Sequence, residues 1–307
     1  MNITLRQLRY LVAVAETCHF GRAAEACFVS QPALSTQIQA LEEALGASLI
    51  ERTRQNVFIT PLGEQIVERA RRVLGEVEDL CEQAHGGADT LGYNIRLGVI
   101  PTLSPYVLPE VLPALREAYP ELPLILREDK TEILLAQLRG GKLDMAFLAL
   151  PIDGQDLYCV EVADDPFVLA APASHSLMRN DTLDANDLVG QDVMLLEDGH
   201  CLRDQALDVC RLRGAREDEK VQASSLGTLT QMVASGMGIT LLPAVTTRVE
   251  TLGAPQLSLR QFAEPIPTRK LGFAWRATTG RADEFNLLAM FFREHVEQLI
   301  RKNIANV

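Results

Sequence analysis

The sequence predicts an α/β protein with a separate all-α head. Three observations support this: apolar residues at helical spacing through the first sixty positions, a long heptad-spaced stretch after them, and apolar runs alternating with amphipathic helices from residue 93 onward. A chain of 307 residues has room for two or three domains, and 47% hydrophobic with 23% charged residues is ordinary for folded proteins. No run approaches the ~18 apolar residues of a membrane span. The opening MNITLRQLRYLVAVAETCHF reads as an amphipathic helix without a cleavage site, which places the chain in the cytosol with no membrane partner. Six irregularly spaced cysteines do not suggest a secreted framework, so any disulfide among them is expected to be transient and regulatory. No cofactor and no metal are expected.

In the head, Leu5, Leu8, Val12 and Ala15 mark a first helix ending near Cys18. Gly21 opens a short second helix, Arg22 to Cys27. Ser30-Gln31-Pro32 is a helix start, with serine able to cap and proline tolerated in the first turn. Leu34, Ile38, Leu41 and Leu45 then form one stripe, and Gly46 ends the helix. Ser35, Thr36, Gln37 and Gln39 face other directions. LIERTRQNVFITP follows as two strands turning around Arg54-Gln55-Asn56, a wing that carries Arg52 and Arg54. A short helix, a tight turn and a helix with short polar residues near its start is how a helix-turn-helix presents groups to base edges. By spacing alone an ordinary three-helix bundle is an equally good reading.

A net charge of −12 argues against general affinity for nucleic acid. The head itself is neutral, with Arg6, Arg9, Arg22, Arg52 and Arg54 balanced by Glu16, Glu25, Glu42, Glu43 and Glu51. The segment FGRAAEACFVSQPALSTQIQALEEALGASLIERTRQNVFITPLGE resembles the N-terminal signature of the LysR-type transcriptional regulators. That resemblance implies a winged helix-turn-helix over 1–60 that binds double-stranded DNA. It points to Ser30, Gln31, Pro32, Ala33, Ser35, Thr36, Gln37, Arg52 and Arg54 as the contact residues, with RNA polymerase as a further partner.

From Leu62 to about Gly86 a helix is expected. Ile66, Ala70, Val73, Val77, Leu80 and Ala84 recur at alternating spacings of four and three, a heptad seam that needs a partner. Packing on the chain's own body is the plain reading. The following HGGAD favours an exposed dimerisation helix and hinge, over 61–90. It resembles the LysR linker helix, which implies homodimers and commonly homotetramers.

The body, 91–307, reads as strands IRLGVIP, LPLILRED, MAFLAL, FVLAAP, DVMLLED, ITLLPA and LGFAWRA with helices between, an alternation that predicts mainly parallel sheets. Polar residues fall at strand–helix junctions, where ligands bind in open α/β sheets: Thr102, Thr131, His200-Cys201 and Ser224-Ser225. Each alone reads best as a helix cap. Cys201 is expected at a helix start beside His200 and Arg203, where the helix dipole and nearby cations favour thiolate. Cys210 falls on the same helix. Cys18, Cys27, Cys81 and Cys159 read as small buried hydrophobes.

LysR effector domains resemble periplasmic binding proteins. That likeness implies two α/β subdomains, 91–163 plus 268–307 and 164–267, with the chain crossing near Ala163 and Thr268. LEDGHCLRDQALDVC, together with GVIPT-SPYVLP, LLAQLRGGKLD and SGMGITLLPA, resembles the peroxide-sensing members of that family over nearly the full chain. The resemblance implies that hydrogen peroxide is the signal, that Cys201 reacts with it, and that Cys210 resolves the product into a disulfide. Thr102, Thr131, His200 and Arg269 would surround the peroxide. Residues 211–223 and the C-terminal tail depart from the pattern. Three other readings compete: a LysR-type sensor of a small organic anion in the inter-subdomain cleft, a thiol peroxidase, and a metal sensor, the last lacking paired CxxC spacing. An enzyme would have no use for the head and the long helix.

Overall fold

In the computed structural model, the described residues are 3–52, 57–85, 91, 94–180, 182–213, 216–217 and 223–307. They fall into two compact units, one built on the N-terminal 87 residues and one on most of the remainder.

The head contains α1 (Leu5–Thr17), α2 (Phe20–Ala26) and α3 (Gln31–Leu45), then a short hairpin of β1 (Ile50–Arg52) and β2 (Val57–Ile59). Thr4 and Gln7 form a reciprocal capping box that starts α1. Helix α2 begins two residues earlier than its apolar spacing indicates, because His19 Nδ1 accepts the amides of Gly21 and Arg22 and acts as the cap. Ser30 caps α3 by accepting from the amide of Ala33, and Gly46 closes it in the left-handed region at φ 67°. Leu11, Val14, Ala23, Leu34, Ile38 and Leu41 form the core of this unit.

Helix α4 (Pro61–His85) follows. Of the heptad seam, Ala70 is buried and Ile66 and Val77 are half-buried. Val73 is 44% and Leu80 66% exposed, an apolar edge on an otherwise charged helix.

The body opens with β3 (Ile95–Val99), α5 (Ser104–Ala118), β4 (Leu124–Glu128), α6 (Thr131–Arg139) and β5 (Met145–Leu150). Here β3 lies parallel to both β4 and β5, as helical crossovers require. Beyond this point the expectation of mainly parallel sheets fails. Strand β6 (Leu157–Pro172) runs for 16 residues and is antiparallel to β9 (Thr240–Pro243), β10 (Leu257–Gln261) and β11 (Thr268–Arg276), and β11 is antiparallel to β5. The cause is that β6 itself passes from one sheet to the other, with β11 antiparallel beside its first part. Up to Pro166, β6 pairs with β11; from Phe167 onward it pairs with β9 and β10. The path β10-β6-β11-β5-β3-β4 therefore links both subdomains in one ladder.

DVMLLED is another correction. Only β7 (Asp192–Val193) is strand, paired with β8 (Arg216–Glu217), and isolated bridges at Val193 and Leu196 take the place of a longer ladder. Helix α7 (Cys201–Arg213) follows, then α8 (Leu226–Ala234), α9 (Thr247–Leu252) and the C-terminal α10 (Ala282–Ile304). Phe285, Leu288, Phe292 and Val296 of α10 are buried, and Phe292 meets Phe147 and Phe273 edge-on. Two cysteines depart from expectation. Cys18 is exposed at the left-handed C-cap of α1, and Cys159 is exposed near the start of β6. Cys27 is half-buried, and the side chain of Cys81 lies outside the described residues.

Candidate functional site

Three loop-to-helix junctions converge within the body. The turn after β3 brings Ile100, Pro101 and Thr102; the start of α6 brings Lys130 and Thr131; the start of α7 brings Gly199, His200 and Cys201. Together they line a tight recess, too narrow as it stands to admit a water-sized sphere. Thr131 and Cys201 each begin a helix, so unpaired amides and the positive ends of two helices face the same region.

Thr102 is buried, and its hydroxyl is already engaged. Arg269 Nη1 donates to Thr102 Oγ1 at 3.1 Å, and Nη2 donates to the carbonyl of the same residue at 3.3 Å. Since Oγ1 accepts from arginine, its own hydrogen remains available to donate into the recess. Asp165 holds Arg269 from behind, accepting from Nε at 2.9 Å, and both side chains are fully buried. Burial pushes the Asp165 carboxyl up, while Arg269 and the amide of Val245 pull it down.

Thr131 Oγ1 and His200 Nε2 are both buried, and neither has a hydrogen-bond partner in the protein among the described residues. Buried polar atoms are almost always paired, so these two are exceptions, and both belong to the lining of one recess. Burial lowers the pKa of His200, and Lys130 adds to the effect, so its imidazole is held neutral. A neutral Nε2 can donate or accept according to tautomer.

The recess adjoins a wider cleft of about 470 Å³ that shares Pro101, Thr102, Lys130 and His200 with it. Carboxylates of Glu128, Asp129 and Glu197 line the cleft, as do Ser224 and Ser225. Ser225 acts as a cap, accepting from the amide of Thr228. Tyr106, also in the wall, donates to Glu250 Oε1 at 2.5 Å; burial and that carboxylate push its phenol up, so it stays a donor.

Thr102, Thr131, His200 and Cys201 are thus brought to one recess, with Arg269 behind Thr102. Cys210 lies on the same helix as Cys201, and its side chain is outside the described residues. Sequence reasoning missed Lys130, whose adjacency to Thr131 was a usable signal, and Asp165, whose partner lies 104 residues away.

In the head, Ser30, Gln31, Pro32, Ala33 and Thr36 are exposed, and Ser35 and Gln37 are half-buried. Thr36 Oγ1 donates back to the Pro32 carbonyl at 2.9 Å. The side chain of Arg52 and the whole of Arg54 lie outside the described residues.

Two family profiles match the chain. The bacterial regulatory helix-turn-helix protein, lysR family, covers residues 5–64, and the LysR substrate binding domain covers 88–297. The chain belongs to the LysR family of transcription regulators. Among the relatives of this LysR-family regulator is a probable hydrogen peroxide-inducible genes activator of Streptomyces viridosporus, 43% identical over 96% of this chain and 95% of that one. Among solved structures, a full-length Pseudomonas aeruginosa OxyR with a cysteine-to-aspartate substitution matches at TM-score 0.82 and 37% identity, covering 95% of each chain. A hydrogen peroxide-bound cysteine-to-serine variant of Corynebacterium glutamicum OxyR matches at TM-score 0.70 and 34% identity, covering 100% of this chain and 96% of the other. The regulator is OxyR-like, and its relatives are regulators rather than enzymes. Among the described residues no helix is long and apolar enough to cross a membrane, and no group of three acidic, histidine or cysteine ligands could hold a metal ion.

Proposed function

We propose that this LysR-family regulator senses hydrogen peroxide through Cys201 and Cys210 and conveys the oxidation to its DNA-binding head. The recess beside Cys201, with the orphaned Thr131 Oγ1 and His200 Nε2, is the observation that carries this reading. Peroxide is small, and each of its oxygens both donates and accepts. Thr102 donates to one oxygen, while Thr131 and His200 supply the complementary contacts. Cys201 sulfur, as thiolate, attacks the nearer oxygen and the O–O bond breaks. Cys201 becomes a sulfenic acid, and the departing oxygen takes up the proton and leaves as water. The Cys210 thiol then displaces the sulfenic hydroxyl, forming the disulfide and a second water. Overall two thiols lose two electrons and two protons to one peroxide. Arg269, fixed by Asp165, polarises Thr102 and favours negative charge on the leaving oxygen.

Exposed Gln31, Pro32, Ala33 and Thr36 at the start of α3, with Ser30, Ser35, Gln37 and the wing arginines Arg52 and Arg54, form the DNA-reading surface. The apolar edge of α4 at Val73 and Leu80 supports a homodimer, and homotetramers and RNA polymerase contacts follow from the family. The protein acts in the cytoplasm. A small organic anion as the signal is disfavoured by the three carboxylates that line the wider cleft.

Mass mapping of cysteines after brief treatment with one equivalent of peroxide tests the reading. A disulfide between Cys201 and Cys210 is expected, and Cys201→Ser should abolish the response while reduced-state DNA binding persists. A Cys201→Ser protein that still switched with peroxide would move the sensor elsewhere.

A further inference from the structure

One cation in the cleft has no part in the chemistry above. Lys130 joins β4 to α6, immediately before Thr131, and its side chain crosses to the opposite subdomain. Its Nζ donates to Glu197 Oε1 at 2.9 Å and to the main-chain carbonyl of Asp198 at 3.0 Å. These two residues begin the turn that delivers Cys201 to the start of α7. Gly199 completes that turn in the left-handed region, at φ 87°, and a Cβ there would come within 3.3 Å of Lys130 Cδ. The turn fits the lysine in two ways: a carboxylate and a carbonyl receive its charge, and a missing side chain leaves room for its stem. The ion pair holds the Glu197 carboxyl below its usual range, and His200, on the same turn, is held neutral in part by the same lysine. The other carboxylate beside Lys130 along the chain, Asp129, is paired with Arg127 at 3.5 Å.

We propose that Lys130 is a positioning residue that latches the reduced state. It ties the 197–199 turn to the start of α6 and so keeps Cys201 in its recess, and its bonds are released when the 201–210 segment rearranges. This rests on the Cys201–Cys210 reading above. With both cysteines on α7, nine residues of helix separate their Cα atoms by about 13.5 Å, whereas a disulfide needs them within about 7 Å. Drawing Cys201 toward Cys210 pulls on Gly199 and Asp198, the residues that Lys130 holds. A contact made only in the dithiol form biases the equilibrium toward thiols. Without it the disulfide forms more readily.

The full-length protein tests this in two arms. In the first, the thiol–disulfide equilibrium is titrated in glutathione buffers, two glutathione thiols giving one glutathione disulfide as the protein is reduced. Lys130→Met should shift the equilibrium about fivefold toward the protein disulfide, a midpoint about 20 mV more negative. Lys130→Arg should stay near the parent, and Lys130→Glu combined with Glu197→Lys should recover most of the shift. In the second arm, hydrogen exchange of the reduced protein should accelerate over residues 197–203 in Lys130→Met and not elsewhere. A parent that forms the disulfide while Lys130→Met titrates at the same midpoint overturns the latch and leaves the sensor intact. If the parent forms no such disulfide, the sensor reading fails, and unchanged exchange over 197–203 then overturns the latch independently. Acceleration confined to that segment still establishes the tie.

Discussion

The guanidinium of Arg269 is fully buried, and it pairs with the carboxylate of Asp165, also fully buried. Removing one member of such a pair leaves the other charged and desolvated, which typically costs about 3–5 kcal/mol. Asp165→Ala should therefore lower the stability of the reduced protein by that order, read as a fall in the urea midpoint. It should also slow oxidation of Cys201, because Arg269 loses the contact that aims it at Thr102. A double variant with Arg269→Met should regain part of the stability and none of the rate. An Asp165→Ala protein with parental stability and oxidation rate would show that the pair does neither job. The two residues differ in how far the sequence exposed them. Arg269 was legible through a family motif. Asp165 lies in an unremarkable strand, and only folding brings it 2.9 Å from the arginine. The pairing of Lys130 was hidden for the same reason, since its carboxylate partner lies 67 residues along the chain, although its place beside Thr131 was legible. Two cysteines outside the pair, Cys18 and Cys159, show the converse error. Their surroundings in sequence are apolar or helical, but Cys18 falls on the left-handed end of α1 and Cys159 on an exposed stretch near the start of β6.

Among the elements, α7 holds both proposed redox residues on one continuous run, Cys201–Arg213. At about 100° per residue they lie on opposite faces as well as too far apart for a bond. A disulfide between them would therefore break helical hydrogen bonds and pull Leu202, Ala206 and Leu207, all buried, from the core they now share with Leu196 and Leu226. The amides of 201–213 should exchange at least tenfold faster in the oxidised protein than in the reduced one. Equal protection in both forms, with the disulfide verified by mass, would contradict the rearrangement. The helices of the head and α4 were legible because their apolar stripes repeat over many residues and their caps are local. Strand direction was not legible. Whether β6 and β11 run with or against their neighbours depends on which element lies beside them, and alternation of strand and helix patterns does not encode that choice once a strand itself makes the crossing.

For the whole molecule, a neutral head joined to an acidic body sets how DNA binding should respond to salt. Binding that rests on a few phosphate contacts loses about 0.9 in the slope of log affinity against log salt for each contact removed. Gln31 and Thr36 are exposed at the start of α3, so replacing both with alanine should cost about 1–3 kcal/mol of discrimination between operator and random DNA. It should leave the salt slope unchanged. Binding titrations at several salt concentrations check this, and an altered slope with intact discrimination would assign the two residues to the phosphate backbone instead.

The long strand β6 also bears on how such proteins can be recombined. Its first part completes the sheet of one lobe and its second part the sheet of the other, with β11 beside it at the junction. A gene exchange with a breakpoint inside 157–172 would join foreign backbone to both sheets at once and leave ladder edges mismatched, the kind of edge that aggregates. Between β2 and β3 the only described element is α4, and no sheet hydrogen bond spans 60–94 among the described residues. A breakpoint there cuts no such ladder among the described residues, whereas the two lobes of the body share one and must be inherited together.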